Sequence, residues 1–212
     1  MRTILSLALL SLATIGCQTQ TWRGTSYEAG TRESASVWQV RSGLVEVSAG
    51  VRAGAGTIED GDLSGFDDYL STATAFHGFL GYMMNDYWEL GVFVEYLEES
   101  WEGDNLSFDA DVEGLLWGAK LIHNFSNVST DVVPFVACSV GFGSVEWDAD
   151  GDTEDAERFM AGASVGVRIF GWDRFGINFE LYYRYMSDDF DDIDLREDIN
   201  EIGGILSLSY FF

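Results

Sequence analysis

Proline and lysine each occur once in the 212 residues, as Pro134 and Lys120, and histidine and cysteine occur twice each. Basic residues number 11 against 36 acidic ones, for a formal charge of -25. That balance excludes a nucleic-acid partner, which needs a basic footprint. Beyond the N-terminus no apolar run reaches the roughly 18 to 20 residues of a membrane-spanning helix, and helical periodicity is nearly absent. With so few cysteines there is no disulfide framework. If Cys17 is processed or modified, Cys138 stands alone and reads as a small apolar strand residue. The chain does not read as disordered, because aromatics make up 15% and hydrophobic residues 47%. Its length suits one domain.

The N-terminus has the makings of an export signal over residues 1–17. Arg2 supplies a positive start, and residues 4–15 form an apolar stretch too short to cross a bilayer. Two processing routes fit it. Ser11-Leu12-Ala13 offers small residues for ordinary cleavage, and Thr14-Ile15-Gly16-Cys17 is similar to a bacterial lipobox with Thr where Leu is usual, which makes Cys17 the candidate for lipidation. Residues 18–43 are weakly patterned and read as an N-terminal lead-in.

From residue 44 to 212 apolar and polar residues alternate in segments of roughly ten, the pattern of transmembrane strands. Eight strands are expected, over 44–54, 73–84, 87–97, 112–125, 132–147, 158–170, 175–186 and 200–212. This predicts an all-β, eight-stranded antiparallel up-and-down barrel. Its connections alternate long and short, so the four long ones (55–72, 98–111, 147–157, 187–199) share one end. They hold 24 of the 36 acidic residues and one base, Arg196. Long loops at one end and short turns at the other are the asymmetry of outer-membrane barrels.

Splitting each strand by parity separates two faces. One is apolar, as in Val45, Val47, Ala49 and Val51, with aromatics such as Trp88, Tyr96, Phe175, Tyr185, Tyr210 and Phe212 toward its ends. That is the girdle expected where lipid meets water. The other carries glycines and charges: Glu46, Glu89, Glu95, Glu180 and Glu201 against Arg52, Lys120, Arg168 and Arg184. The glycines are expected to leave room for the long charged side chains in a narrow interior. Unpaired lumen charges would cost several kcal/mol each, so these nine are expected to form a salt-bridge network that plugs the barrel. The alternative is a narrow channel lined by the same set.

The signal sequence, the strand count and blocks such as "VVPFVACSVGFGSVEWD", "AGASVGVRIF" and "NFELYYRYM" resemble small bacterial outer-membrane β-barrels of the OmpX and OmpA type. That resemblance implies a location in the bacterial outer membrane, among its lipid and lipopolysaccharide. It also implies that Leu206, Leu208, Tyr210 and Phe212 form a C-terminal signal read by the barrel-insertion machinery.

The same architecture hosts lipid A deacylases, which carry a His-x-Ser-Asn motif. "HNFSN" (123–127) has one residue too many, which puts His123 and Ser126 on opposite faces, and "YRYMSDD" (183–189) has no histidine. His77 reads as a lumen residue hydrogen-bonded to the network. "DADGDTED" (148–155) fails the calcium-loop pattern, with Thr153 and Phe159 where Gly and Glu are required. The expectation is a non-enzymatic monomer with no catalytic residues, metal centre or cofactor. Its role would be structural or surface-interacting, with weak divalent-cation binding at the acidic loops. A narrow channel stands as the alternative and a lipid A-modifying enzyme as the third reading.

Overall fold

The computed structural model describes residues 42–59, 69–103, 109–125, 132–149, 152–172, 174–190 and 196–212. The export signal, Cys17 and nearly all of the lead-in lie outside the described residues. Gly43 takes a positive φ of 88° and donates from its amide to the Met83 carbonyl (2.8 Å) as the chain enters the first strand.

Eight strands follow: β1 (Val45–Glu59), β2 (Tyr69–Met83), β3 (Trp88–Gly103), β4 (Asp109–Asn124), β5 (Val132–Ala149), β6 (Asp152–Trp172), β7 (Phe175–Phe190) and β8 (Arg196–Phe211). Each pairs antiparallel with the next, and β8 closes on β1. The closing seam sets Val47 against Tyr210, Ala49 against Leu208 and Val51 against Leu206. At its end Phe212 exchanges backbone hydrogen bonds with Val45. Closure leaves no strand edge open among the described strands, which a bilayer demands.

Parity decides what each side chain meets. Phe76, Trp117, Leu181, Ile202 and Leu208 are all more than 60% exposed on the outside. A monomer in water does not expose so continuous an apolar surface. On β8 this band runs from Ile202 to Phe212, which at ~3.4 Å per residue and a tilt near 40° covers about 25 Å, the height of a lipid-facing band.

The strands are longer than the sequence suggested. They have 15 to 21 residues, where about ten suffice to cross a bilayer. The extra length lies at one end and takes in the described flanks of the segments expected to be long acidic loops. The expected loop over 147–157 is instead the continuous end of β5 and start of β6, joined by residues 150–151. The reason is visible in the alternation. In "LEESW", Leu97, Glu99 and Trp101 turn inward and are buried, while Glu98 and Ser100 face out. Leu97 and Trp101 pack with Val112, Val145, Trp147, Met160, Met186 and Ile199 in an apolar core inside the barrel.

Candidate functional site

The wall places charged side chains in two settings, the lumen and the outer surface beyond the lipid band. In the lumen all nine expected residues (Glu46, Arg52, Glu89, Glu95, Lys120, Arg168, Glu180, Arg184 and Glu201) are buried. Glu99, Arg158 and Asp188 join them, so the buried charges described number seven acids and five bases rather than the five and four expected.

Toward the long-strand end, Arg184 grips Glu95 with two parallel bonds (2.6 and 2.7 Å), and His77 Nδ1 lies 2.7 Å from the same carboxylate. Arg52 pairs with Glu201 and lies 3.5 Å from Glu95 and 3.9 Å from Glu99. Arg158 bridges Glu99 (2.9 Å) and Asp188 (2.7 Å twice), and the Trp147 indole donates to Asp188 (3.0 Å). At mid-height Lys120 reaches both oxygens of Glu180 (2.7 and 2.6 Å). Toward the short-turn end, Arg168 holds Glu46 (2.6 Å) and Glu89 (3.2 Å), supported by Asn124 and Asn178. Charge-assisted, partly bidentate bonds of this kind offset the desolvation of each group.

Rings and methyls fill the rest of the lumen. The expected use of the lumen glycines holds in part: Gly162 lies against the stem of Arg184. Gly54 likewise makes room for Glu201, and Gly81 for Glu89, while at other positions phenylalanine takes the space. A Cβ on Gly81 or Gly91 would strike the Phe79 ring, one on Gly118 or Gly141 the Phe93 ring, and one on Gly166 the Phe135 ring. This is why β2 and β4 alternate poorly in sequence: both of their faces are largely apolar. Beside His77, Lys120, Glu180 and Arg184 there is a cavity of about 10 Å³, room for roughly one water molecule. Above it stands the Trp101–Trp147 core, with ring centroids 5.8 Å apart. Below it Met83, Val133, Phe170 and Phe211 form a second buried apolar cluster.

Outside, the lipid band ends at tyrosines. Tyr96 donates to Glu113 (3.1 Å), Tyr183 to Asn200 and Tyr185 to Asp198 (2.7 Å). An apolar ring with its hydroxyl pointing into a polar row marks a lipid–water boundary. Directly beyond it Glu98, Glu113, Glu146 and Asp155 are register partners across β3, β4, β5 and β6. All four are exposed. The next row holds Ser100, Asp111 and Asp148, with a Ser100–Asp111 hydrogen bond of 2.9 Å. At the opposite boundary the rings of Phe175, Tyr210 and Phe212 meet edge-on at 4.9 and 4.8 Å. Leu206, Leu208 and Phe212 are exposed to the outside, with Tyr210 half-buried among them.

The residues weighed for catalysis are not brought together. His123 is half-buried at the short-turn end, packed by Trp88 (4.5 Å) and Phe125 (4.8 Å), in the aromatic girdle. Ser126 lies outside the described residues. Cys138 is exposed on the outer face. Among the described residues no group of three His, Cys, Asp or Glu side chains is placed to hold a metal ion.

A closed eight-stranded barrel with a lipid-facing exterior fits the family description that matches this chain, the outer membrane protein beta-barrel domain, over residues 8–203. The chain belongs to that family. The protein is therefore a β-barrel of the bacterial outer membrane. Similar solved structures include Neisserial surface protein A (TM-score 0.55, 15% identity, covering 80% of this chain and 97% of that one) and OprG from Pseudomonas aeruginosa (0.54, 12%, 82% and 98%). Ail, the attachment invasion locus protein of Yersinia pestis, is another (0.50, 17%, 81% and 99%). At these identities the likeness is one of fold. No curated protein matches the chain in sequence. Of the three charged groups missing from the expected network of this outer-membrane barrel, Glu99, Arg158 and Asp188, the two acids sat in stretches whose acid density reads as loop. The signal that could have found them is parity carried past the expected strand ends: "YLEESW" keeps Glu99 in step with Glu95 and Leu97, and "RYMSD" keeps Asp188 in step with Arg184 and Met186.

Proposed function

We propose that the protein is a non-catalytic surface-interaction barrel that holds a rigid acidic collar outside the lipid for cationic partners. The observation that carries this reading is the row Glu98–Glu113–Glu146–Asp155, set on paired strands around a buried apolar core. Like charges directly opposite one another across strands are destabilising. A wall that bears four in succession gives up stability for a field, and Arg196, the exposed base among the described residues of the collar, does not cancel it. The sign of the field selects the partner. Ail has been crystallised with sucrose octasulfate, a polyanion; a collar of carboxylates repels such a ligand and attracts a cationic surface.

The filled lumen supports this reading over a channel, since an aqueous path would have to cross both apolar clusters and the ion pairs between them. The placement of His123 in the aromatic girdle supports it over a hydrolase.

The test uses the purified barrel in lipid nanodiscs, with polylysine as the probe. Binding is expected, and it should weaken steeply as salt rises past 0.1 M, where screening acts within ~10 Å. It should be lost when Glu98, Glu113, Glu146 and Asp155 are replaced by their amides. Binding unaffected by those four changes, or steady conductance in planar bilayers, would overturn the proposal.

A further inference from the structure

Below the acidic row, two adjacent register rows of the outer wall border a groove of about 570 Å³. The row toward water runs Leu115, Ser144, Glu157, Asp189 and Arg196 across β4 to β8. The row toward the lipid band runs Trp117, Phe142, Phe159 and Ser187 across β4 to β7. Two serines open the space. Ser144 stands between Leu115 and Glu157, and Ser187 stands beside Phe159, where longer side chains would fill it. Trp117 is 62% and Phe142 51% exposed, and the Phe142 and Phe159 rings meet at 5.2 Å. The groove is thus aromatic on the side toward the lipid band and charged on the side toward water.

The charge is one-sided. Glu157 and Asp189 are exposed register partners, and among the described residues neither has an ion-pair partner. Two residues further out on the same face of β5 and β6, Glu146 and Asp155 oppose each other. Arg196 is turned elsewhere: its Nε donates to Ser187 (2.7 Å) and lies 3.4 Å from Asp198, which offsets its charge. An anionic headgroup would meet the carboxylates first. The occupant that fits is cationic toward water and apolar toward the lipid band. Four strand spacings from β4 to β8 come to about 19 Å, the length of a helix of about 13 residues. A basic amphipathic helix carries both properties in one element and rests at a lipid–water boundary.

We propose that this groove docks a basic amphipathic helix that arrives from outside the cell. The apolar side chains of the helix lie on Trp117, Phe142 and Phe159, and its lysines or arginines donate to Glu146, Glu157 and Asp189. The inference rests on the cationic-partner reading and adds the form of the partner and the place where it is anchored.

The test compares two fluorescent peptides of about 14 residues with equal lysine and leucine content. One places its lysines and leucines on opposite helical faces, and the other has the same residues scrambled. Binding to the barrel in phosphatidylcholine nanodiscs would be read by anisotropy, less the binding to empty nanodiscs. The collar attracts both peptides, but only the first can use the groove, so it is expected to bind about fivefold tighter as it covers part of two exposed rings. That excess should vanish in Trp117→Ser/Phe142→Ser, which leaves the scrambled peptide unaffected, and should fall in Glu157→Gln/Asp189→Asn. All four positions are exposed, and retention of the folded gel mobility checks each variant. If both peptides bind equally, or the excess survives the ring substitutions, the groove proposal is overturned and the collar reading stands. If neither binds, both fall.

Discussion

The lipid band and the collar above it are made by the same eight strands, yet they are built inside out relative to each other. In the band, Val92, Leu181 and Leu206 face outward and Arg168, Glu180 and Lys120 face inward. In the collar, Glu98, Glu113 and Glu146 face outward and Leu97, Val112 and Trp147 face inward. The backbone does not change at the boundary; only the solvent outside it does. Lipid requires an apolar exterior, which leaves the polar residues to be paired inside. Water allows a charged exterior, which frees the interior to be apolar. The tyrosines at 96, 183 and 185 mark the crossover, and the ion pairs of Arg52 and Arg158 lie inside near the same height, where the lumen changes from polar to apolar.

Substitutions should expose this difference. The largest effect is expected where the two regions join. Arg158→Met strands Glu99 and Asp188 without their guanidinium, both fully buried. Breaking a buried pair in this way costs about 3–5 kcal/mol, to be read as a lower urea midpoint for the barrel in detergent micelles. Trp147→Ala empties the middle of the collar core and removes the donor to Asp188. A loss of about 3–4 kcal/mol is expected, with faster amide exchange in the outer halves of β5 and β6 and unchanged exchange in their lipid-level halves.

A charge placed outside separates the regions by solvent. Leu206→Arg sets a cation against lipid and should cost about 2–4 kcal/mol. Glu146→Arg on the same outer surface but in the collar should cost nothing and relieve the repulsion from Glu113 and Asp155. Refolding yields of the two variants in bilayers would check the contrast. The smallest effect runs the other way: Glu113→Gln should raise stability by about 0.5–1 kcal/mol, because it removes like charges facing each other across β3, β4 and β5. A fall in the unfolding midpoint would show that the row is not repulsive.

The fold was legible in the sequence because the wall is periodic. Parity alone separates Val47 from Ser48 and Leu208 from Ser209, and the closing pair of β1 and β8 follows from the strand count. What the sequence hid has physical causes. The collar strands are written in Asp, Glu and Gly, residues that favour turns, and they become strands because Leu97, Trp101, Val112 and Trp147 find one another across the barrel. That contact is between residues distant in sequence. The lumen partners Glu99 and Asp188 were hidden for the same reason, since each lies in an acid-rich stretch and is distinguished only by facing inward. The glycines were seen on the right face, but their neighbours were not. Nothing local says that Gly91 accommodates Phe79 rather than an arginine.

The central claim is that the wall above the lipid is paired strand around a dry core rather than a set of mobile acidic loops. Hydrogen–deuterium exchange of the protein in nanodiscs tests it most directly. The amides of Trp101, Val112 and Trp147 should exchange about as slowly as those of Val92 and Val140 within the lipid band, as expected for ladder bonds over a packed interior. Exchange of those collar amides at the rate of an open loop, with the lipid band still protected, would contradict it.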